Sequence, residues 1–114
     1  MKLPELPAFD EQGAFINGHE WSVARLIILS KNLKVLDIPL DHLDLSFDKR
    51  YTLREFAAHM QRVLNADLNY PIIMDENGSI MDGRHRIMKA LHEGKETIKA
   101  VRFNINPEPC RIHD

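Results

Sequence analysis

Asp82, Gly83, Arg84, His85 and Arg86 follow one another in the sequence Met81-Asp-Gly-Arg-His-Arg86, where the pattern predicts a helix from about Gly83 to His92. Two arginines and a histidine thus crowd a first helical turn. The helix dipole is positive there and disfavours each cation by roughly 0.3–1 kcal/mol. Breaches of a local rule are expected where function compensates them. The compensation with the fewest assumptions is an anion: backbone N–H groups from Gly83 to Arg86 point out of the helix start, glycine admits a close guest, and guanidinium groups supply forked donors. The chemistry implied is binding of a phosphate or similar oxyanion. The alternative is a ligand-free surface network in which Arg84 and Arg86 pair with Asp75, Glu76, Asp82 or the acids between 41 and 48.

Individual residues allow more than one role. Asp82 is suited to cap the helix, and beside a phosphate it is also where a magnesium ion would sit. His85 is either a phosphate ligand or a bridge to the Ile80-Met81 strand. Lys89, one turn on, reaches the same anion or is simply solvated. The remaining histidines, His19, His42, His59, His92 and His113, share no metal-site spacing and read as surface or partly packed side chains.

The elements that must position this segment are legible in outline. Asn17-Gly18 between two short alternating stretches predicts a type I′ hairpin over 14–21, which Trp21 is expected to seal against the core. Ser22 caps a helix over about 23–31, and Lys34–Pro39 reads as a strand ended by proline. Thr52-Leu-Arg-Glu55 is a capping box. It opens a helix to about Asn65 with an apolar stripe of Leu53, Phe56, Ala57, Met60, Val63 and Leu64. Met60, Met74, Met81 and Met88 are expected to fill an uneven core. Pro71–Met74 and Ser79–Met81 flank Asp75-Glu-Asn-Gly78 as a second hairpin, Gly94 ends the last helix, and Thr97–Phe103 is the last strand. The expected fold is α/β in the loose sense, that is α+β: a small mixed sheet with flanking helices and an N-terminal hairpin plus helix. An arm, hairpin and helix occupy 1–34, the main body 35–103 and an irregular tail 104–114, all in one compact unit.

Composition narrows the function classes. The chain has 114 residues, 44% hydrophobic and 28% charged, enough for one domain. Fifteen basic against seventeen acidic side chains give a net charge of −2, so the surface as a whole is not suited to indiscriminate duplex binding. The charge is segregated, with a +4 block over 83–102 and an acidic 36–82 segment. A single cysteine, Cys110, closes no intrachain disulfide and points to a reducing, cytoplasmic setting. No apolar run approaches the roughly 20 residues of a membrane span.

The segment from Pro71 to Arg86, followed by an amphipathic helix and a strand, resembles the ParB/sulfiredoxin superfamily. Ile38-Pro-Leu-Asp-His-Leu43 and the helix over 53–64 fall in the order that family uses, so the likeness covers about 35–103. It implies a small sheet with nucleotide phosphates (of ATP, ADP or CTP, with Mg2+ at Asp82) held at Gly83, Arg84, His85, Arg86 and Lys89. In sulfiredoxins the residue before the His-Arg pair is a catalytic cysteine; here it is Arg84, which removes that chemistry for want of a nucleophile. Chromosome-partitioning ParB proteins use a Gly-Glu-Arg-Arg version and carry a separate DNA-binding domain, for which this chain is too short. Free serine kinases of the superfamily are closer in appearance: their Asp-Gly-His-His-Arg motif is matched at Asp82, Gly83, His85 and Arg86. Their upstream acid is not set by the motif, and Asp41, Asp44 and Asp48 are candidates by chain order. The first expectation is therefore nucleotide or phosphate binding, with phosphoryl transfer or nucleotide hydrolysis involving Asp82 and Asp41 or Asp44. The alternative is a DNA-associated regulatory or partitioning-type module. In it nucleotide binding switches homodimerisation or contact with DNA or a protein partner, without catalysis. Nuclease activity ranks last, since no acids stand at the spacing of a metal-dependent nuclease.

Overall fold

Asn17 and Gly18 take φ values of 52° and 79°, the doubly positive pair that a type I′ turn demands, so the chain reverses in two residues. In the computed structural model, which describes residues 13–46 and 50–112, this turn joins β1 (Gly13–Ile16) to β2 (His19–Ser22). Ser22 then caps α1 (Val23–Ser30), its hydroxyl accepting from the Arg25 N–H at 3.4 Å. Strand β3 (Leu36–Pro39) runs into a single 3-10 turn at Leu40–His42. Thr52 caps α2 (Leu53–Asn65) by accepting from the Glu55 N–H at 3.1 Å, while its own hydroxyl donates to the Glu55 carboxylate. The rest follows as β4 (Ile72–Met74), β5 (Ile80–Asp82), α3 (Arg84–His92), β6 (Thr97–Arg102) and β7 (Arg111–Ile112).

The fold is mixed α+β with two sheets. The larger has the order β3-β6-β4-β5, with β4 parallel to β6 and the other pairs antiparallel. Alternation along its central strands feeds two cores. Ile72, Met74, Ile98 and Ala100 pack with Leu40, Leu43, Ile87 and Ala90 on one face. Ile73, Met81, Val101 and Phe103 pack with Trp21, Leu26 and Ala14 on the other. A strand buried on both faces needs apolar residues without interruption, which is why Pro71-Ile-Ile-Met74 reads as a continuous run.

The smaller sheet, β1-β2-β7, draws its third strand from the tail that the sequence reads as irregular. Among the bonds that hold that tail, Trp21 Nε1 donates to the Pro107 carbonyl at 2.9 Å, Arg25 Nη1 to that of Glu108 at 2.7 Å, Cys110 N to that of Glu20 at 2.7 Å, and Glu76 N to Asn106 Oδ1 at 2.7 Å. Trp21 is buried as expected. The N-terminal arm before residue 13 lies outside the described residues.

Helix α2 departs from expectation in its orientation. Its boundaries match, yet Leu53 is 90% exposed, and Phe56, Met60 and Leu64 are also exposed; Ala58 is the residue it buries. Met60 is therefore not a core filler, whereas Met74 and Met81 are. Successive helical residues turn by about 100°, so Ala58 lies well over 120° from Leu53, on the far side of the stripe. Polar contacts hold that side: Lys89 Nζ donates to the Leu64 and Ala66 carbonyls at 3.0 and 2.7 Å, and His59 bonds to His85.

Gly83 joins β5 to α3 with no intervening residue, at φ +113°. A Cβ there would lie 2.5 Å from Ile72 Cγ2 and 2.8 Å from Ile72 Cβ. Gly83→Ala is expected to cost about 3 kcal/mol of unfolding free energy, combining left-handed strain with overpacking. Leu53→Ala should stay within about 0.5 kcal/mol. Urea unfolding of the two variants checks the pair, and equal midpoints would contradict this packing.

Candidate functional site

Strand β5 and helix α3 bring Asp82, Gly83, Arg84, His85 and Arg86 into one turn, as the motif requires, but their side chains divide into different tasks. Arg86 is engaged with protein: Nη2 pairs with Asp82 Oδ2 at 2.6 Å and Nη1 donates to the Pro71 carbonyl at 2.8 Å. It braces the end of β5 against the entry to β4. Asp82 consequently does not cap the helix; its carboxylate is turned to Arg86, and α3 has no side-chain cap at all. Lys89 is committed to the two carbonyls at the end of α2. Arg84, by contrast, is exposed.

The first intrahelical bond of α3 runs from the Ile87 N–H to the Gly83 carbonyl at 3.0 Å, so the amides of Arg84, His85 and Arg86 precede the ladder. Helices α1 and α2 both satisfy such amides through a hydroxyl, whereas α3 begins on a glycine and has no acid in its first turn. Beside this start runs a groove of about 260 Å³ lined by Asp44, Leu45, Ser46, Ile80, Arg84, Ile87, Met88 and Leu91. Among the described residues its walls are mostly apolar and its ionic groups are Asp44 and Arg84. Asp44 accepts from the Ser46 N–H at 3.0 Å, and Ser46, with a smaller contribution from Arg84, holds its carboxyl below the usual range. Asp41 sits exposed on the 3-10 turn and does not line the groove, and Asp48 lies outside the described residues.

His85 has a partner that sequence reasoning missed. Its Nε2 is 2.8 Å from Nδ1 of His59 on α2, the two rings are stacked at 5.1 Å and 21°, and Tyr51 lies 4.6 Å from the His59 ring. Nothing in the spacing of 59 and 85 announces this pair, because it arises only when α2 and α3 pack. Partial burial pushes the His85 imidazole down to about 4, aided by His59, Arg62 and Arg86 against the opposing pull of Asp82. It is neutral at pH 7. The remaining histidines within the described residues, His19, His42 and His92, are exposed, and His113 lies outside them.

Among the described residues no three His, Cys, Asp or Glu side chains gather as a metal would need. Asp82 is already held by Arg86, so this donor set does not fit a built magnesium site. The +4 block over 83–102 does not make one basic face. Arg86 and Lys89 are engaged as above, Arg102 donates to the Glu76 carbonyl, and Lys95 and Lys99 share a groove with Asp37, Asp67 and Glu93. Of the acids the sequence offers as partners for the arginines, Asp75 is buried and accepts from the Asn77 and Ser79 N–H groups of its own turn. Among the described residues no helix is long and apolar enough to cross a membrane.

Comparison with known protein families and with curated proteins finds no match to the chain, so the ParB/sulfiredoxin likeness rests on the residues quoted above.

A pH dependence follows from His85. With its folded value near 4 and an ordinary value of 6.5, the unfolded chain binds more protons between these limits, so stability rises with pH across that window and is lost as pH falls through it. Partial exposure reduces the effect to about 1–2 kcal/mol. Chemical denaturation at pH 7 and pH 5 should show that loss in the parent and a smaller one in His85→Phe; a parent as stable at pH 5 as at pH 7 would contradict the burial of a neutral ring.

Proposed function

We propose that the start of α3 binds the phosphate groups of a nucleoside di- or triphosphate, with the sugar or base against the apolar groove alongside. The observation that carries this reading is the combination at one helix end of no side-chain cap, no acid, and an outward Arg84. Amides at a helix start and a forked guanidinium are complementary to phosphate oxygens. The resemblance of Asp82-Gly-Arg-His-Arg86 to the nucleotide-binding motif of the ParB/sulfiredoxin superfamily supports the same ligand, in a cytoplasmic setting.

Phosphoryl transfer is the chemistry this arrangement suits. An acceptor hydroxyl attacks the terminal phosphorus, the bond to the leaving phosphate oxygen breaks, and Asp44, ionised at the groove, takes the hydroxyl proton. The helix start and Arg84 would stabilise charge as it shifts. Of the three upstream acids, Asp44 is favoured because it shares the groove with Arg84. The mixed charges around Lys95 and Lys99 do not favour a DNA-associated switch.

Calorimetric titration of the full chain with ATP, ADP and CTP, followed by analysis of the incubated nucleotides, tests the reading. Arg84→Ala is expected to bind about tenfold more weakly with an unchanged thermal midpoint, consistent with loss of one charge-assisted contact. Asp44→Asn should retain binding and lose turnover. Arg86→Ala should lower the midpoint, since it leaves the Asp82 carboxylate and the Pro71 carbonyl without their donor. A parent that binds none of the three, or an Arg84→Ala variant that binds like the parent, overturns the assignment. DNA association that weakens steeply with salt would put the regulatory module in its place.

A further inference from the structure

The histidine pair joining α2 to α3 belongs to neither core and serves no helix cap, yet it sits in the very turn where the anion is assigned. Only one nitrogen of each ring takes part in the contact: Nδ1 of His59 and Nε2 of His85, 2.8 Å apart. One of these must carry the proton and the other must accept it. The choice is not local, because a neutral imidazole bears a single N–H. If His59 Nδ1–H donates, His85 Nε2 accepts and the proton of His85 resides on Nδ1. If the direction is reversed, His85 Nδ1 is a bare lone pair.

Within the described residues Nδ1 of His85 has no hydrogen-bond partner, so it is the nitrogen free to meet a guest. An oxyanion beside the uncapped amides of α3 is met favourably by an N–H and repelled by a lone pair. We propose, resting on the phosphate-binding reading above, that His59 is a positioning residue: it donates Nδ1–H to His85 Nε2 and so holds His85 as a neutral N–H donor, through Nδ1, at the anion site. The stacking of the two rings at 21° and the packing of Tyr51 on His59 restrict rotation of the pair, and a ring that cannot turn keeps its tautomer aimed.

The surroundings agree with a neutral donor. The charged and titratable groups that act on His85 are His59 and Arg62 from α2, Asp82 from β5 and Arg86 from α3 itself; Asp82 is the one that favours a protonated ring, and it is already paired with Arg86. A second proton on His85 is therefore disfavoured, and the donor function does not come from an imidazolium. A neutral N–H adds a hydrogen bond to phosphate without adding a third positive charge beside Arg84 and Arg86.

Long-range proton–nitrogen correlation spectra of the full chain at pH 7, without ligand, report the tautomer directly. They should show Nδ1 of His85 protonated and its Nε2 as an acceptor. His59→Phe keeps the stacked shape and removes the donor; His59→Asn offers an amide N–H near the place of Nδ1. Calorimetry with ADP should then show affinity about tenfold weaker in His59→Phe and recovered to within about threefold in His59→Asn. The His85 titration should shift in His59→Phe while the unfolding midpoint at pH 7 moves little. Reversed protonation in the spectra, or equal ADP affinity in parent and His59→Phe, overturns the inference and leaves nucleotide binding intact. A parent that binds no ADP overturns the underlying reading instead, whatever tautomer the spectra show.

Discussion

The contact between Gly83 and Ile72 constrains everything near the candidate site. Helix α3 leaves β5 through Gly83 alone and lies so close to β4 that the space of a β-carbon is already filled by Ile72. A residue with φ +113° and no room for a side chain has to be glycine. Packing alone therefore accounts for Gly83, without any ligand. The same glycine has a second consequence: it brings no side-chain oxygen to the position where Ser22 and Thr52 supply one for the other helices. Close packing thus produces an uncapped helix start as its by-product. What packing does not account for is the absence of a carboxylate turned back onto those amides and the presence of Arg84 in its place.

Polar side chains do the work of assembly around this junction. Arg86 ties Asp82 to Pro71, and so holds the two ends of the β4–β5 excursion together. Lys89 satisfies two carbonyls at the end of α2, where orphan acceptors otherwise face water. With His85 these bonds seat α2 on α3 through its polar side and turn Leu53, Phe56, Met60 and Leu64 outward. Three of the cations and rings that a motif reading would give to a ligand are thereby partly or wholly spent on structure, and Arg84 is the exposed cation left at the turn.

Local rules and long-range contacts were not equally legible in the sequence. The Asn17-Gly18 turn, the Ser22 and Thr52 caps and the Gly94 terminator are decided within four or five residues, and each appears where its own chemistry places it. Gly94 takes φ +72°, and Lys95 N–H reaches the Ala90 carbonyl, the bond that closes a glycine-terminated helix. The buried strand around Ile72 and Ile73 was equally readable from its unbroken apolar run. The facing of α2 was not, because a stripe states which side is apolar and says nothing of which neighbour is nearer. The same holds for Lys89 with Leu64, for His59 with His85 and for β7 with β2: each joins residues from 25 to more than 80 positions apart, and none leaves a trace in spacing. Asp82 is the instructive intermediate case. It stands where a helix-capping carboxylate is common, and Arg86 four residues on offers a stronger, charge-assisted partner in the same turn.

Arg84, His85 and Arg86 look like three cations in sequence, which would make the helix start strongly repulsive even to itself. In the folded chain Arg86 is balanced by Asp82 and His85 is neutral, so of the three side chains Arg84, with Asp44 across the groove, is the one that presents positive charge beside three amides. Such an arrangement is tolerable in the empty protein, because the exposed Arg84 is solvated and its repulsion from the dipole is modest. It also has a direction. A guest that brings negative charge gains the amides and Arg84 together without first breaking the Arg86–Asp82 pair, whereas a cation gains neither. The internal ion pair therefore does not compete with an anion site; by removing Arg86 and Asp82 from the contest, it leaves three amides and Arg84 favouring negative charge, with Asp44 across the groove as the opposing carboxylate.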